Sequence, residues 1–174
     1  MEPKIVYRKL RIDELGKLRD LFGDDPLGLW PKYLTQCRDR MRNGEMDVYV
    51  FEVNDDVVGE LTVNYVPHLL PSEAIRGQRV YFSTFRVMFR MRGLGIGQEL
   101  MNYAIEDLKS KGYTEFTIGV EADNPVANHI YAKFGFTEPI DKGHGDEFDP
   151  ADYVLYLRPA TANAVEAEIV DQPS

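Results

Sequence analysis

Apolar positions change their period several times along the chain, and each change marks an element. Residues 4–11 read as a strand of mixed polarity. From Glu14 to Phe22, Leu15, Leu18, Leu21 and Phe22 recur three and four apart, the spacing of one helical face, with Asp13 as the N-cap. Gly23-Asp24-Asp25-Pro26 ends that helix. A second helix is predicted over Pro31–Arg42, with Pro31 in its first turn and Gly44 near its end. The pattern then turns strand-like over Val48–Val53 and Val57–Val66, joined by Asn54-Asp55-Asp56, which has the turn chemistry of a hairpin. Pro67 to Gly77 has no period and reads as an irregular loop, and Val80–Met88 is a strand rich in β-branched and aromatic residues.

In the second half Ile96, Leu100, Met101, Ala104, Ile105 and Leu108 share one face of a helix predicted over Gly95–Lys111, closed by Gly112. Phe116–Val120 is a strand, Pro125–Phe134 a helix stopped by Gly135, and Phe136–Glu138 a short strand. A polar loop through Pro139–Pro150 leads to the last strand, Tyr153–Leu157. The order β-α-α-β-β-β-α-β-α-β-β describes an α/β domain with a mixed sheet and helices on both faces. Beyond Pro159 the composition drops to Ala, Thr, Asn, Glu and Pro, and Glu166, Glu168 and Asp171 have no basic residue among them. We therefore expect one domain over 4–159 and a flexible acidic tail over 160–174.

At 174 residues and 44% hydrophobic, the chain suits one domain with a full core. No apolar run approaches 18 residues, so no membrane span is expected. Met1-Glu2-Pro3-Lys4 runs straight into strand-like sequence, where no cleavable signal peptide fits. The single cysteine, Cys37, excludes an intrachain disulfide and suits a reducing interior, so a cytoplasmic location is expected. With no histidine partner in view, Cys37 reads as a small buried hydrophobe. No cluster has metal-ligand spacing, and no metal is expected. A net charge of −9 argues against nucleic acid as a partner and is compatible with a cationic substrate.

The chemistry concentrates at Arg92-Gly93-Leu94-Gly95-Ile96-Gly97, between a strand and a long amphipathic helix. Glycines at alternate positions remove side chains from a tight turn. The backbone amides can then converge at the positive end of the following helix, a site for a pyrophosphate with Arg92 adding charge. Alone, the segment reads equally as a plain strand-to-helix turn. A dinucleotide fingerprint would need glycine where Gln98 stands, and no Gly-Lys-Ser/Thr is present for a P-loop. Downstream, Asn124 precedes a helix on which Ala127, Ile130, Tyr131 and Phe134 share a face. Taken alone, Tyr131 is a core aromatic.

The strand–Arg-Gly-x-Gly-x-Gly–helix unit, followed by Asn-x-x-Ala-x-x-x-Tyr-x-x-x-Gly-Phe, resembles the Gcn5-related N-acetyltransferase (GNAT) superfamily. The likeness in element order covers about residues 4–158, and its motifs lie within 79–97 and 120–136. It implies a single-domain fold with a largely antiparallel sheet of six to seven strands and about four helices. It also implies acetyl-CoA as co-substrate and direct acetyl transfer to a primary amine in a ternary complex. On the matching positions, Arg92, Gly93, Leu94, Gly95, Ile96 and Gly97 would bind the pyrophosphate. Backbone groups of Phe85 and Val87 would hold the pantetheine arm in a splay between their strand and Phe116–Val120. Asn124 would bond near the pantetheine, and Tyr131 would protonate the departing thiolate. The implied acceptor is a small-molecule or peptide amine, and the implied state a monomer or homodimer.

One departure matters. Arg79, Tyr81 and Ser83 occupy the strand positions where several members of the family place Glu or His. The base then falls to Glu60 on the neighbouring strand, acting directly or through a water; its bland reading is a solvated or hydrogen-bonded strand carboxylate. Glu73, His144, or water with Tyr81 come behind it. Leu29, Trp30 and Tyr33 either pack the core or wall the acceptor pocket. Asp24 and Asp25 either meet a cationic amine or cap a turn, and the stretch 144–149 is either an acidic lid or a solvated loop. A non-catalytic acyl-CoA sensor and a regulatory partner protein docking by its tail are the rival classes.

Overall fold

The computed structural model describes residues 2–159; the expected tail, 160–174, lies outside the described residues. A seven-stranded sheet, ordered β1-β2-β3-β4-β5-β7-β6, forms the frame. Its strands are β1 (Ile5–Lys9), β2 (Met46–Val53), β3 (Asp56–Asn64), β4 (Arg79–Val87), β5 (Glu115–Glu121), β6 (Glu138–Gly143) and β7 (Tyr153–Arg158). Every neighbouring pair is antiparallel except β4–β5. The helices are α1 (Arg19–Phe22), α2 (Trp30–Arg42), α3 (Ile96–Ser110) and α4 (Pro125–Lys133). Among the described residues no helix is long and apolar enough to cross a membrane.

The helices divide between the two faces as the pattern predicted. On one face α3 buries Leu100, Met101, Ala104, Ile105 and Leu108, and α4 buries Ala127, Ile130 and Tyr131, against Tyr49, Phe51, Leu61, Val63, Phe82 and Phe85. Each buried Leu, Ile or Met among them contributes about 1.5–3 kcal/mol relative to exposure. On the other face α2 and the segment before it pack Leu15, Leu18, Leu21 and Cys37 on Val48 and Val50. Alternate residues of β2 thus serve opposite layers.

Three expectations need correction. The first helix opens as a 3-10 segment, Ile12–Leu18, with Arg11 at its N-cap and Asp13 already inside its first turn. Glu14 draws it tight: its carboxylate accepts the Arg11 amide at 3.1 Å and pairs with Arg8 at 2.7 Å. Second, β3 ends at Asn64 rather than Val66. Third, β6 lies within what reads as a polar loop, while Phe136 is buried in the core. Pro139, Asp141 and Lys142 disguise β6 as loop, yet they suit an edge strand that pairs only with β7.

Candidate active site

The site begins with a fault in the sheet. Thr62 pairs with Thr84 and Val63 with Phe82, so Ser83 is the extra residue of a bulge in β4. The parallel β4–β5 ladder stops at Phe82↔Ile118, although β4 continues to Val87 and β5 to Glu121. The bulge flips the alternation of β4: Val80 and Phe82 face the α3–α4 layer before it, and Phe85 and Val87 after it. The opposite face therefore presents Tyr81, Ser83, Thr84 and Arg86 to the cleft, not Arg79, Tyr81 and Ser83 as strict alternation predicts. Arg79 instead pairs with Glu115 at 3.2 Å and donates to the Ser72 carbonyl.

The same register fixes where the backbone points. The Met88 amide donates to the Val58 carbonyl at 2.8 Å. In an antiparallel ladder bonded and non-bonded pairs alternate, so Glu60/Arg86 is a bonded pair and Leu61/Phe85 and Gly59/Val87 are not. The N–H and C=O of Phe85 and Val87 are directed away from β3, toward the side where the β5 ladder has ended. Arg92 Nε donates to the Val87 carbonyl at 3.3 Å, which that orientation allows.

Past β4 the chain makes a short 3-10 turn, Phe89–Met91, and enters the glycine segment. Gly93 (φ 76°) and Gly95 (φ 78°) are left-handed, and Gly95 is the N-cap of α3. The Arg92 amide donates to Phe89 and the Glu99 amide to Gly95. From Gly93 to Gly97, among the described residues, no backbone amide donates to a backbone carbonyl. A run of unengaged amides at a helix N-terminus is a place for an anion. The Arg92 guanidinium folds over the Phe89 ring, 5.4 Å from its centroid. The turn does not line the cleft described next; it lies beyond it, past the end of β4.

A cleft of about 200 Å³ passes through the gap between β4 and β5. On the α4 side it is lined by Phe85, Asn124, Ala127 and Tyr131, and on the α2 side by Tyr33, Gln36, Cys37 and Arg40. Two molecules entering from opposite faces of the sheet can therefore meet in the gap. Tyr131 is 8% exposed, packs 6.1 Å from the Phe85 ring, and its hydroxyl makes no hydrogen bond to the described residues. Burial, and after it the Asp149 carboxylate, holds the phenol above the ordinary tyrosine range, so it keeps its proton. Asn124 lines the cleft and caps α4, its Oδ1 accepting the Ala127 amide at 3.0 Å.

Glu60 does not line the cleft. It lies beneath, 1% exposed, with Arg86 Nε 3.6 Å from Oε1 and Oε2 without a partner. Burial pushes its carboxyl up to about 7, against the pull of Arg86. Thr62, two residues along the same face of β3, does line the cleft, and its buried Oγ1 is also unpartnered. So is Arg40 Nε, although the Arg40 terminal nitrogens reach Asn64 at 2.9 Å and Glu45 at 3.5 Å. Alternating Glu60, Thr62 and Asn64 inside a strand buried along its length is the pattern that would have exposed this polar seam.

The lesser candidates sort themselves by contact. Glu73 is fully buried as a loop anchor, accepting the His68 and Leu69 amides at 2.7 and 2.8 Å and the Tyr153 hydroxyl at 3.2 Å. His144 is exposed and pairs with Asp152 at 2.6 Å, outside the cleft. Asp25 is a cap, accepting the Leu29 and Trp30 amides at 2.7 and 2.9 Å. Of Leu29, Trp30 and Tyr33, only Tyr33 lines the cleft, while Trp30 packs on Phe22. The Cys37 thiol is pushed up to about 11 by burial, which leaves it a poor nucleophile. Residues 145, 146, 148 and 149 line the cleft, which favours the lid over the solvated loop. Among the described residues no group of His, Cys, Asp or Glu side chains is placed to hold a metal ion.

Comparison with known proteins agrees with this architecture. The Acetyltransferase (GNAT) family matches residues 15–136. No curated protein matches the sequence. Among solved structures, one described as a GNAT-family acetyltransferase from Desulfovibrio desulfuricans superposes with a TM-score of 0.69 at 13% identity, over 91% of this chain and 100% of that one. An N-acetyltransferase from Staphylococcus aureus gives 0.65 at 20% identity, over 91% and 99%. The PaiA N-acetyltransferase from Thermoplasma acidophilum, solved with coenzyme A, gives 0.61 at 16% identity, over 90% and 99%.

Proposed function

The chain belongs to the acetyltransferase (GNAT) family, and from that premise we propose that its 4–159 domain moves the acetyl group of acetyl-CoA directly to a primary amine in a ternary complex. The observation that carries this reading is the pair of backbone amides of Phe85 and Val87 that face away from β3, beside a cleft lined by the protonated Tyr131. The pantetheine arm takes the place of a missing strand against Phe85 and Val87, near Asn124. Its pyrophosphate reaches the amides of Gly93, Leu94, Gly95, Ile96 and Gly97, with the Arg92 side chain adding charge.

The amine attacks the thioester carbonyl as its own proton leaves, and the tetrahedral oxyanion is met by a β4 amide. Collapse breaks the C–S bond, and Tyr131 gives its proton to the departing sulfur. Glu60 takes the amine proton at one remove, through water passing the Thr62 hydroxyl. Its elevated pKa suits that task near neutral pH. A non-catalytic acyl-CoA sensor is the second reading, favoured by the absence of any carboxylate among the β4 residues facing the cleft.

Replacing Tyr131 with Phe tests the assignment. We expect turnover, followed as free thiol, to fall about 100-fold with acetyl-CoA affinity unchanged. Unchanged turnover would remove Tyr131 from the mechanism, and acetyl-CoA binding without thiol release from any amine in the wild type would favour the sensor.

A further inference from the structure

On the side of β3 that faces α2, Glu60, Thr62 and Asn64 form a polar seam, while Leu61 and Val63 face the opposite layer. All three polar side chains are buried. An arginine reaches each end of the seam. Arg86, across the ladder from Glu60, lies 3.6 Å from its carboxylate and donates from Nη1 to the Leu21 carbonyl at 3.1 Å. Arg40, from α2, donates to Asn64 Oδ1 at 2.9 Å. Asn64 in turn donates to the Tyr81 carbonyl at 3.2 Å, so the Arg40 guanidinium is held from below. Thr62 lies between the two, one side-chain step of about 6.5 Å along the strand from Glu60 and from Asn64.

The seam carries two unmet donors. Thr62 Oγ1 and Arg40 Nε are both buried without a partner among the described residues, and both residues line the cleft. A guanidinium can only donate and a hydroxyl donates one proton, so the two together call for an oxygen acceptor. A buried donor left unpaired is costly, and structures keep few of them. The positive charge is also incompletely offset. Glu45 stands 3.5 Å from Arg40, and the Arg86–Glu60 contact is longer than a hydrogen bond. Arg40 and Arg86 are the only guanidinium or ammonium groups lining the cleft among the described residues. An oxyanion seated on Thr62 would lie between them, with charge-assisted bonds available from Arg40.

We propose, resting on the acetyltransferase reading above, that Arg40 and Thr62, with the charge of Arg86, form a carboxylate subsite, and that the acceptor is a small amine of the amino-acid class. The cofactor occupies the α4 side of the gap on that reading, which leaves this seam to the acceptor. Thr62 donates its proton to the carboxylate and keeps its lone pairs for the water that leads to Glu60. Arg40 binds and orients the acceptor; no bond to it is made or broken.

The test uses the full chain with acetyl-CoA and pairs of amines that differ by one carboxylate: γ-aminobutyrate and propylamine, L-lysine and cadaverine, L-phenylalanine and phenethylamine. Free thiol is measured, with acetyl-CoA binding followed separately by calorimetry. The wild type should favour the carboxylate-bearing member of at least one pair by about tenfold or more in kcat/KM. In Arg40→Gln that preference should shrink to less than about threefold, through a rise of about tenfold in the KM of the acid, with acetyl-CoA still bound. The substitution cannot alter the basicity of the amines, so the lost preference reads the subsite alone. Arg40→Lys keeps the charge without the Nε–H and should retain part of the preference. Equal turnover within every pair, a preference undiminished in Arg40→Gln, or bound acetyl-CoA with no thiol released by any amine would each overturn the proposal. Succinyl-CoA with the carboxylate-free amines is the arm in which the acyl group brings the carboxylate. Faster turnover there than with acetyl-CoA and the acids would overturn the assignment to the acceptor. Failure of the wild type to bind acetyl-CoA would instead overturn the acetyltransferase reading beneath it, and this proposal with it.

Discussion

At the β4–α3 end of the site the groups offered to a ligand are backbone amides: those of Phe85, Val87 and the glycine turn. At the α2 end they are side chains: Tyr33, Arg40, Thr62 and Asp149. The first arrangement depends on the absence of side chains and on one broken ladder, so it tolerates wide change in sequence around it. The second depends on which residues the loops happen to carry. A scaffold so divided can keep its cofactor while its acceptor changes, because the two ends share little besides the gap between β4 and β5. The family and the co-substrate are accordingly easier to infer than the acceptor.

Substitutions break the comparison in order of size. The largest effect is expected at the gap itself, where Tyr131→Phe should cost about 100-fold in turnover while both binding ends stay intact. Next is Glu60→Gln, read through stability against pH. Burial raises the folded-state pKa of Glu60 from 4.5 to about 7, so the folded protein holds a proton that the unfolded chain releases. Both states are protonated below about 4.5; stability is then lost as pH rises to about 7, after which the penalty is constant. At 1.36 kcal/mol per unit the loss is at most about 3.4 kcal/mol, and urea titrations should show it in the wild type and not in Glu60→Gln. Equal slopes in the two proteins would mean that Glu60 does not titrate in this window.

Gly95→Ala addresses the cofactor end alone. At its φ of 78° an L-residue is strained by about 1–2 kcal/mol, so the free turn relaxes and acetyl-CoA must restore it, and affinity should fall about tenfold with the acceptor KM unmoved. A shift in the acceptor KM instead would show that the two ends are not separable. The smallest effect belongs to His144→Ala. This exposed residue lies outside the cleft, and kcat/KM should stay within about twofold.

The same division explains what was readable in the sequence. The alternate glycines, the apolar stripes of α3 and α4, and the Asn124–Tyr131 spacing are local signals with local causes, and each falls where its pattern predicts. The bulge at Ser83 is not local: it arises where β4 must satisfy β3 while parting from β5, and one extra residue inverts the facing of Thr84 and Arg86. Strict alternation therefore misassigned half of the strand that faces the cleft. β6 was hidden because an edge strand need not be apolar. Asp149 carries no periodic signal at all; only the packing of the segment between β6 and β7 onto α2 brings it into the lining of the cleft. Glu60 was visible as a strand carboxylate, but its depth beneath Arg86 was not.

The central claim is that backbone amides along β4 and its glycine turn form an acetyl-CoA site in this chain. A calorimetric titration of the wild-type protein with acetyl-CoA tests it most directly. Micromolar binding that weakens about tenfold in Gly95→Ala is the predicted result. No binding by the wild type, or equal binding by the two proteins, would contradict it.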